Sequence, residues 1–212
     1  MAKLFMLLIG ATPPGRHTEQ HDVFFGIGNS IRDLVPQVIE FWPEAKKGLH
    51  VDAWREVTRV NGYFVSVTDK PGQASGPQLF FINLGGYKKG EFEEFHYKML
   101  VAAPGKGEAV KAAKQTAFFR HTGFSGANAH IDDKYGVDVD DIYNIPDILP
   151  ASTKGKYGLV ITPAPPDAVD DYIYLGYFKL DTVDKWAPKD GEEDWKKTDG
   201  GQGLVNQNES SG

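Results

Sequence analysis

The sequence predicts an α+β fold built from an internally duplicated strand–strand–helix–strand unit. Two copies related by a pseudo-twofold axis would place their strands in mixed or antiparallel sheets. The prediction depends on three observations: an ungapped internal repeat, short apolar stretches typical of strands, and an amphipathic segment typical of a helix in each copy of the repeat. Whether the copies share one sheet or form two is left open by the sequence.

The repeat begins when residue 4 is aligned with residue 79, and it continues without a gap for eighteen positions. Six of these positions are identical. The identical pairs are Leu4/Leu79, Phe5/Phe80, Gly10/Gly85, Gly15/Gly90, Glu19/Glu94 and His21/His96. Because the apolar stretch near the start has a twin in mid-chain, we expect a buried strand there rather than an export signal.

The repeat also sets the expected organisation of the chain. We predict a first repeat at 3–68, a linker at 69–77 and a second repeat at 78–162. A C-terminal strand and short helix follow at 163–185, and a polar tail occupies 186–212. The linker and the tail are rich in glycine and polar residues, which favours surface segments over core.

Helices are expected once in each copy. In the first copy, apolar residues from Ile31 to Trp42 follow the three/four spacing of a buried helical face. Ser30 and Asp33 resemble a capping box, but Pro36 has no N–H to donate, so the regular helix is predicted to begin near Val35. The second helix is predicted at about 108–119, and further strands at 63–67, 157–161 and 172–180.

Composition excludes several classes of protein. The net charge of −6 disfavours nucleic-acid binding, which needs a basic surface, and no stretch of eighteen apolar residues predicts a membrane span. With no cysteine, thiolate metal sites, disulfides and cysteine nucleophiles are excluded. The same absence suits a reducing compartment, so a cytoplasmic location is expected.

Two Glu-x-His pairs are the first candidates for a ligand site. Residues two apart on a strand point to one face, so Glu19 would lie beside His21 and Glu94 beside His96. A carboxylate beside an imidazole can orient it, raise its basicity or hold a metal with it. The alternative is that these are polar groups that close a turn or pair across the repeat interface. Arg55 and Lys98 are candidate partners for an anionic ligand.

Two His-x-Asp pairs are candidates for a metal site. His50 with Asp52, and His130 with Asp132, have the same spacing. If each of these strands lay beside its own Glu-x-His strand, each half would gather two imidazoles and two carboxylates. That set of donors suits Zn, Mn or Fe, so a divalent metal is the cofactor that these residues indicate.

Other motifs do not identify a reaction. The acidic residues between 132 and 141 lack the order of an EF-hand loop and alternate with apolar residues, which favours a half-buried strand. The Gly-x-Gly turns at 26–28 and 105–107 lack a complete phosphate-binding pattern, and no Gly-x-Ser-x-Gly elbow is present. Whether the protein is an enzyme is therefore left open.

The chain resembles a bacterial family described as domain of unknown function 1543. The motifs that carry the resemblance extend over residues 3–162. They are residues 7–13, 19–25 and 52–57 in the first copy, and 81–87, 91–99 and 130–138 in the second. The family is described as holding one or two copies of its domain, which agrees with the repeat. The resemblance implies no activity, cofactor or functional residue.

Two functions remain open at the level of sequence. The first is a protein that binds a small molecule or a metal at the Glu-x-His and His-x-Asp pairs. The second is a non-catalytic protein-interaction or structural module whose acidic surface or C-terminal tail binds a protein partner. Self-association into a homo-oligomer is compatible with either.

Overall fold

The chain folds into three antiparallel sheets and a few short helices. The computed structural model describes residues 1–71, 76–87, 90–115 and 137–185. The strands are β1 (Lys3–Ala11), β2 (Gln20–Gly28), β3 (His50–Glu56), β4 (Arg59–Val60), β5 (Tyr63–Thr68), β6 (Gln78–Tyr87), β7 (Glu94–Ala103), β8 (Val137–Asn144), β9 (Gly158–Pro163) and β10 (Tyr174–Lys179). The α-helices are α1 (Val35–Phe41), α2 (Lys106–Ala113) and α3 (Ile145–Ile148), and 3-10 helices occupy Ile31–Leu34, Pro43–Ala45 and Leu180–Lys185. The predicted α+β class is confirmed.

The strands form a first sheet of order β10-β3-β1-β2, a second of order β7-β6-β8 and a third of order β4-β5-β9. All neighbouring strands are antiparallel. The third sheet pairs Tyr63–Thr68 with Gly158–Pro163, which are the strands expected to close the two repeats.

The first two sheets have corresponding registers. Gly10 pairs with His21 in β1–β2, and Gly85 pairs with His96 in β6–β7, a shift of 75 positions in both strands. On the other side of β1, Gly10 pairs with His50, whereas Gly85 pairs with Asp138. The register of each outer pair slips at the same place, between Leu8 and Ile9 and between Asn83 and Leu84.

The core consists of four layers, helix, sheet, sheet and helix. Between the two large sheets, Phe25 contacts Phe81 with ring centroids 5.4 Å apart, within a cluster that includes Leu4, Ile27 and Leu100. The opposite face of each sheet carries its own apolar cluster. α1 and the turn before it cover the first sheet there through Leu34 and Val38, and α2 covers the second through Ala109 and Ala113. Both sheets are thus buried on both faces.

The helices begin close to where the sequence predicts. α1 begins at Val35 with Pro36 in its first turn, as expected. A 3-10 turn precedes it, and there the Asp33 carboxylate accepts bonds from the N–H groups of Asn29 and Ser30. α2 begins two residues before the predicted position, at Lys106, and is described to Ala113; the aromatic pair at 118–119 lies outside the described residues. No helix in the described part of the chain is long and apolar enough to cross a membrane.

A two-residue hairpin connects the third sheet to the second. Asn61 and Gly62 turn the chain between β4 and β5, and both have positive φ, 37° and 85°. The Asn61 side chain accepts a bond from the N–H of Ala102 at 2.7 Å and donates to its C=O at 3.0 Å. Because β7 is an edge strand, this amide satisfies backbone groups that have no strand beside them.

Candidate functional site

The first sheet brings two histidines to the same face on either side of a glycine. Gly10 in the central strand β1 pairs with His21 of β2 and with His50 of β3. Residues directly opposite each other on neighbouring strands project to one face, so the two imidazoles flank the same backbone position. The metal hypothesis was conditional on the Glu-x-His and His-x-Asp strands being direct neighbours; in the sheet they lie on either side of β1.

Gly10 leaves the space in which the side chains meet. A Cβ atom at this position would lie 2.7 Å from Asp52 Oδ2, 2.8 Å from His50 Nε2 and 3.2 Å from His21 Cδ2. Any larger residue would therefore displace all three groups. The identity of Gly10 with Gly85 indicates a strand glycine, but the cross-strand register is needed to show what the glycine accommodates.

A bulge turns Asp52 toward this space. Val51 pairs with Ile9 and Ala53 pairs with Leu8, so Asp52 is an extra residue on β3. Glu19 reaches the same space from the residue just before β2. The histidine–carboxylate cluster therefore consists of Glu19, His21, His50 and Asp52, four residues that the sequence singled out as candidates.

The contacts in the histidine–carboxylate cluster alternate between imidazole and carboxylate. His21 Nε2 lies 3.1 Å from Asp52 Oδ2 and 3.6 Å from Glu19 Oε2. His50 Nε2 lies 3.0 Å from Glu19 Oε1 and 3.3 Å from Asp52 Oδ1. Each carboxylate thus bridges the two imidazoles with its two oxygens.

His50 is the buried member of the cluster. Its side chain is 4% exposed, against 39% for His21 and 44% for Glu19. Its Nδ1 lies 2.8 Å from the carbonyl oxygen of Gly48. A carbonyl only accepts hydrogen bonds, so Nδ1 carries the proton, and in the neutral imidazole Nε2 then presents a lone pair to the two carboxylates.

Two buried atoms of the cluster have no hydrogen-bond partner among the described residues. They are His50 Nε2 and Asp52 Oδ2. Both are directed at the space above Gly10, where neighbouring oxygens are acceptors as well. As the side chains stand, no group of three or more His, Asp or Glu residues in the described ranges is arranged to hold a metal ion.

Aromatic residues and a cavity border the cluster. The Tyr177 ring packs on His50 with centroids 4.2 Å apart, from an irregular part of the neighbouring strand β10. On the other side, His21 lines a cavity of about 400 Å³ together with Arg16, Trp42 and Glu44. No sequence pattern indicated Tyr177, because its position depends on the pairing of β10 with β3.

Arg55 and Lys98 lie apart from the cluster, in a second cavity between the two large sheets. This inter-sheet cavity has a volume of about 400 Å³ and is lined by Met6, Leu8, Val23, Ala53, Trp54, Arg55, Tyr97, Lys98, Met99, Leu100 and Ile173. Arg55 and Lys98 therefore line the same cavity, and Glu19 and His21 do not line it.

Burial shifts the pKa of Arg55, which lines the inter-sheet cavity, and of Asp22, which lines the cavity next to His21. Burial lowers the pKa of Arg55 from its usual value, and the nearby Asp171 and Asp170 partly oppose this. Displacement of solvent raises the pKa of Asp22, whereas the bond from the Val23 N–H and the charge of Lys98 lower it. Arg55 is thus a guanidinium with reduced access to water.

The second copy supplies only part of the predicted residues. Glu94 and His96 lie on β7, where His96 holds the register position opposite Gly85. His130 and Asp132 lie outside the described residues. The strand that occupies the place of β3 in the second sheet is β8, so Asp138, not His130, is the residue opposite the glycine. In the sequence alignment His50 corresponds to His130, whereas in the sheets it corresponds to Asp138. The two correspondences differ because the connection from β7 to β8 is longer than that from β2 to β3.

Comparisons with known proteins agree with the resemblance predicted from the sequence. Residues 16–67 match the model of Domain of Unknown Function (DUF1543), which confirms the resemblance over that segment. The chain is also similar to the crystal structure of a protein Il1583 from Idiomarina loihiensis. That match has a TM-score of 0.56 and 22% identity and covers 85% of this chain and 99% of the other, so it shows a shared fold. No curated protein matches the chain.

Proposed function

We propose that the protein binds a divalent transition-metal ion at the histidine–carboxylate cluster of Glu19, His21, His50 and Asp52. The observation that carries the proposal is the buried Nε2 of His50, which has no hydrogen-bond partner and is directed at carboxylate oxygens. With His50 neutral, its Nε2 and the carboxylate oxygens around it are all acceptors, and they repel one another unless an electropositive group lies among them. A metal ion in the space above Gly10 would supply that group.

The hydrogen bonding of His50 supports a metal ion over an organic cation. Histidines that bind metals usually donate their other N–H to a backbone carbonyl or a carboxylate, which fixes the lone pair toward the ion. His50 makes this contact with Gly48. Two imidazoles and two carboxylates form a donor set suited to Zn, Mn or Fe. The burial of His50 leaves little space for an ammonium group with its carbon substituents.

Binding requires a limited rearrangement of side chains. His50 and Asp52 are the less exposed pair and would provide fixed ligands, with side chains 4% and 26% exposed. Glu19 and His21 are exposed enough to rotate, and they would exchange their mutual contact for bonds to the ion. The internal repeat supports a role for these positions, because Glu19 and His21 recur as Glu94 and His96.

Metal analysis and titration test the proposal directly. Protein purified without an affinity tag would be analysed for bound elements, stripped with EDTA and titrated calorimetrically with Zn²⁺, Mn²⁺ and Co²⁺. We expect saturable binding of one ion, and for Co²⁺ an absorption spectrum that reports nitrogen and oxygen ligands. His21→Gln and Asp52→Asn should weaken binding by at least about tenfold.

The matched control is His17→Gln, because His17 is exposed and lies close in sequence but outside the cluster. This variant should bind metal like the parent. Absence of saturable binding in the parent protein would contradict the proposal, and so would equal losses in His17→Gln and His21→Gln. Since His21 is partly exposed, its substitution is expected to leave the fold intact, which circular dichroism would verify.

A further inference from the structure

The inter-sheet cavity, defined above by the residues from Met6 to Ile173, combines an apolar wall with two cations. The wall comes from facing surfaces of the two large sheets. Leu4 and Phe25 are buried where the sheets meet, whereas Met6 and Leu8, further along the same face, are only partly buried. The sheets therefore leave a gap beside Met6 and Leu8. Exposed apolar surface in a concave gap of this volume is typical of small-molecule sites.

The two cations of the cavity lie on opposite sheets. Arg55 pairs with Met6 on the first sheet, and Lys98 pairs with Asn83 on the second. Neither side chain forms an ion pair within the described residues. Asp171, one of the two acidic groups near Arg55, is already bonded to the N–H groups of Thr58 and Arg59 and to the Thr58 hydroxyl.

We propose that the inter-sheet cavity binds a small amphipathic monocarboxylate. Its carboxylate would lie between Arg55 and Lys98, and its hydrocarbon part would contact Met6, Leu8, Val23 and Leu100. A guanidinium accepts a carboxylate through two parallel hydrogen bonds, and a nearby ammonium adds charge without a fixed direction. An uncharged ligand would leave Arg55 and Lys98 without a hydrogen-bonded anion in partly apolar surroundings, where a charge is costly.

Desolvation of Arg55 supports an anionic ligand. Burial lowers the pKa of Arg55, because surroundings with little water disfavour its charge. A bound carboxylate would remove that penalty, because an opposite charge at hydrogen-bond distance stabilises the ionised guanidinium. The nearby carboxylates, Asp170 and Asp171 beside Arg55 and Asp22 beside Lys98, keep the cavity from being strongly basic. A single negative charge therefore fits better than a phosphate group.

The proposed ligand does not depend on the metal proposed for the histidine–carboxylate cluster. Along β1, Gly10 is two residues from Leu8 on the same face, so the cluster lies about 7 Å from the nearest apolar residue of the cavity. A carboxylate could in principle reach a metal ion there instead. Binding in EDTA-treated protein separates the two possibilities.

The test compares three eight-carbon compounds that differ in the head group. Octanoate, octanol and octylamine would each be titrated into full-length, EDTA-treated protein by calorimetry. We expect saturable 1:1 binding of octanoate and at least about tenfold weaker binding of octanol and octylamine, the factor expected for a charge-assisted hydrogen bond. Equal binding of octanoate and octanol would overturn the proposal, as would octanoate binding that appears only when metal is restored.

Variants then locate the site. Arg55→Met and Lys98→Met keep the apolar part of each side chain and remove its charge, so each should weaken octanoate binding by about tenfold or more. Lys47→Met removes one positive charge from an exposed position outside the cavity and is the matched control. Ala53→Phe, which would fill the cavity, should abolish binding. Unchanged affinity in both Arg55→Met and Lys98→Met would show that the carboxylate binds elsewhere.

Discussion

At the scale of single residues, the histidine–carboxylate cluster depends on one glycine as much as on its four polar side chains. Gly10 has no unusual backbone conformation, and it is required because a Cβ would occupy the space toward which His50 and Asp52 point. The metal-ion proposal therefore depends on the space above Gly10 as well as on the identity of the four polar residues. The glycine therefore allows a direct test.

Gly10→Ala should remove metal binding without unfolding the protein. The added methyl group would lie within 2.8 Å of His50 Nε2 and Asp52 Oδ2, and it would force both side chains away from their present positions. A cost of about 1–3 kcal/mol in the free energy of unfolding is expected from overpacking. Calorimetric titration with Zn²⁺ measures the binding, and urea denaturation measures the stability.

Gly26→Ala provides the matched control for that substitution. A Cβ at Gly26 would lie 2.7 Å from Phe24 and 2.8 Å from Leu34, a similar clash on a neighbouring strand of the same sheet but among apolar groups. We expect Gly26→Ala to lower stability by a similar amount and to leave metal affinity unchanged. If both variants lost affinity equally, the loss would reflect damage to the sheet and not the space above Gly10.

The sequence predicts the members of the cluster better than their arrangement. Glu19, His21, His50 and Asp52 can be found because residues two apart on a strand share a face, and their spacing is visible in the chain. What brings the pairs together is the order β3-β1-β2 and the bulge at Asp52. Both arise from long-range pairing, which local spacing does not encode. For the same reason Tyr177 could not be predicted.

At the scale of secondary-structure elements, proline and glycine determine several boundaries. Pro36 fixes the start of α1 because a residue without an N–H is tolerated only in the first turn. The hairpin between β4 and β5 needs positive φ at two successive positions, which Asn61 and Gly62 provide. These boundaries follow from local chemistry. The pairing of β5 with β9, which lie far apart in the chain, does not.

Asn61 links the β4–β5 hairpin to β7, and two substitutions separate the contribution of its hydrogen bonds from that of its backbone conformation. Asn61→Ala removes both hydrogen bonds to Ala102 and puts alanine, which tolerates positive φ less well than asparagine, at this position, so a loss of about 2–4 kcal/mol is expected. Asn61→Gly removes the bonds but relieves the backbone, and it should cost about 1 kcal/mol less. Urea denaturation measures both. An Asn61→Ala protein as stable as the parent would show that the bonds to β7 contribute nothing.

At the scale of the whole molecule, the two large sheets share one core. Side chains of β1 and β2 pack directly on those of β6 and β7, and β5 pairs with β9, which lies far from it in the chain. Neither half therefore has a complete apolar core by itself. The shared core also fixes the gap between the sheets that forms the inter-sheet cavity, so the proposed ligand site is a product of the packing of both halves.

A shared core predicts that the two sheets unfold together. Phe81→Ala removes a ring from the second sheet that contacts Phe25 of the first, and core substitutions of this kind cost about 3–5 kcal/mol. Native-state hydrogen exchange should show the same loss of protection in β1 as in β6, although the substitution lies only in β6. Phe92→Ala, at a fully exposed phenylalanine, should change stability by less than about 0.5 kcal/mol. Loss of protection confined to β6 and β7 would mean that the sheets are separate folding units, and the cavity between them would then open without unfolding the first sheet.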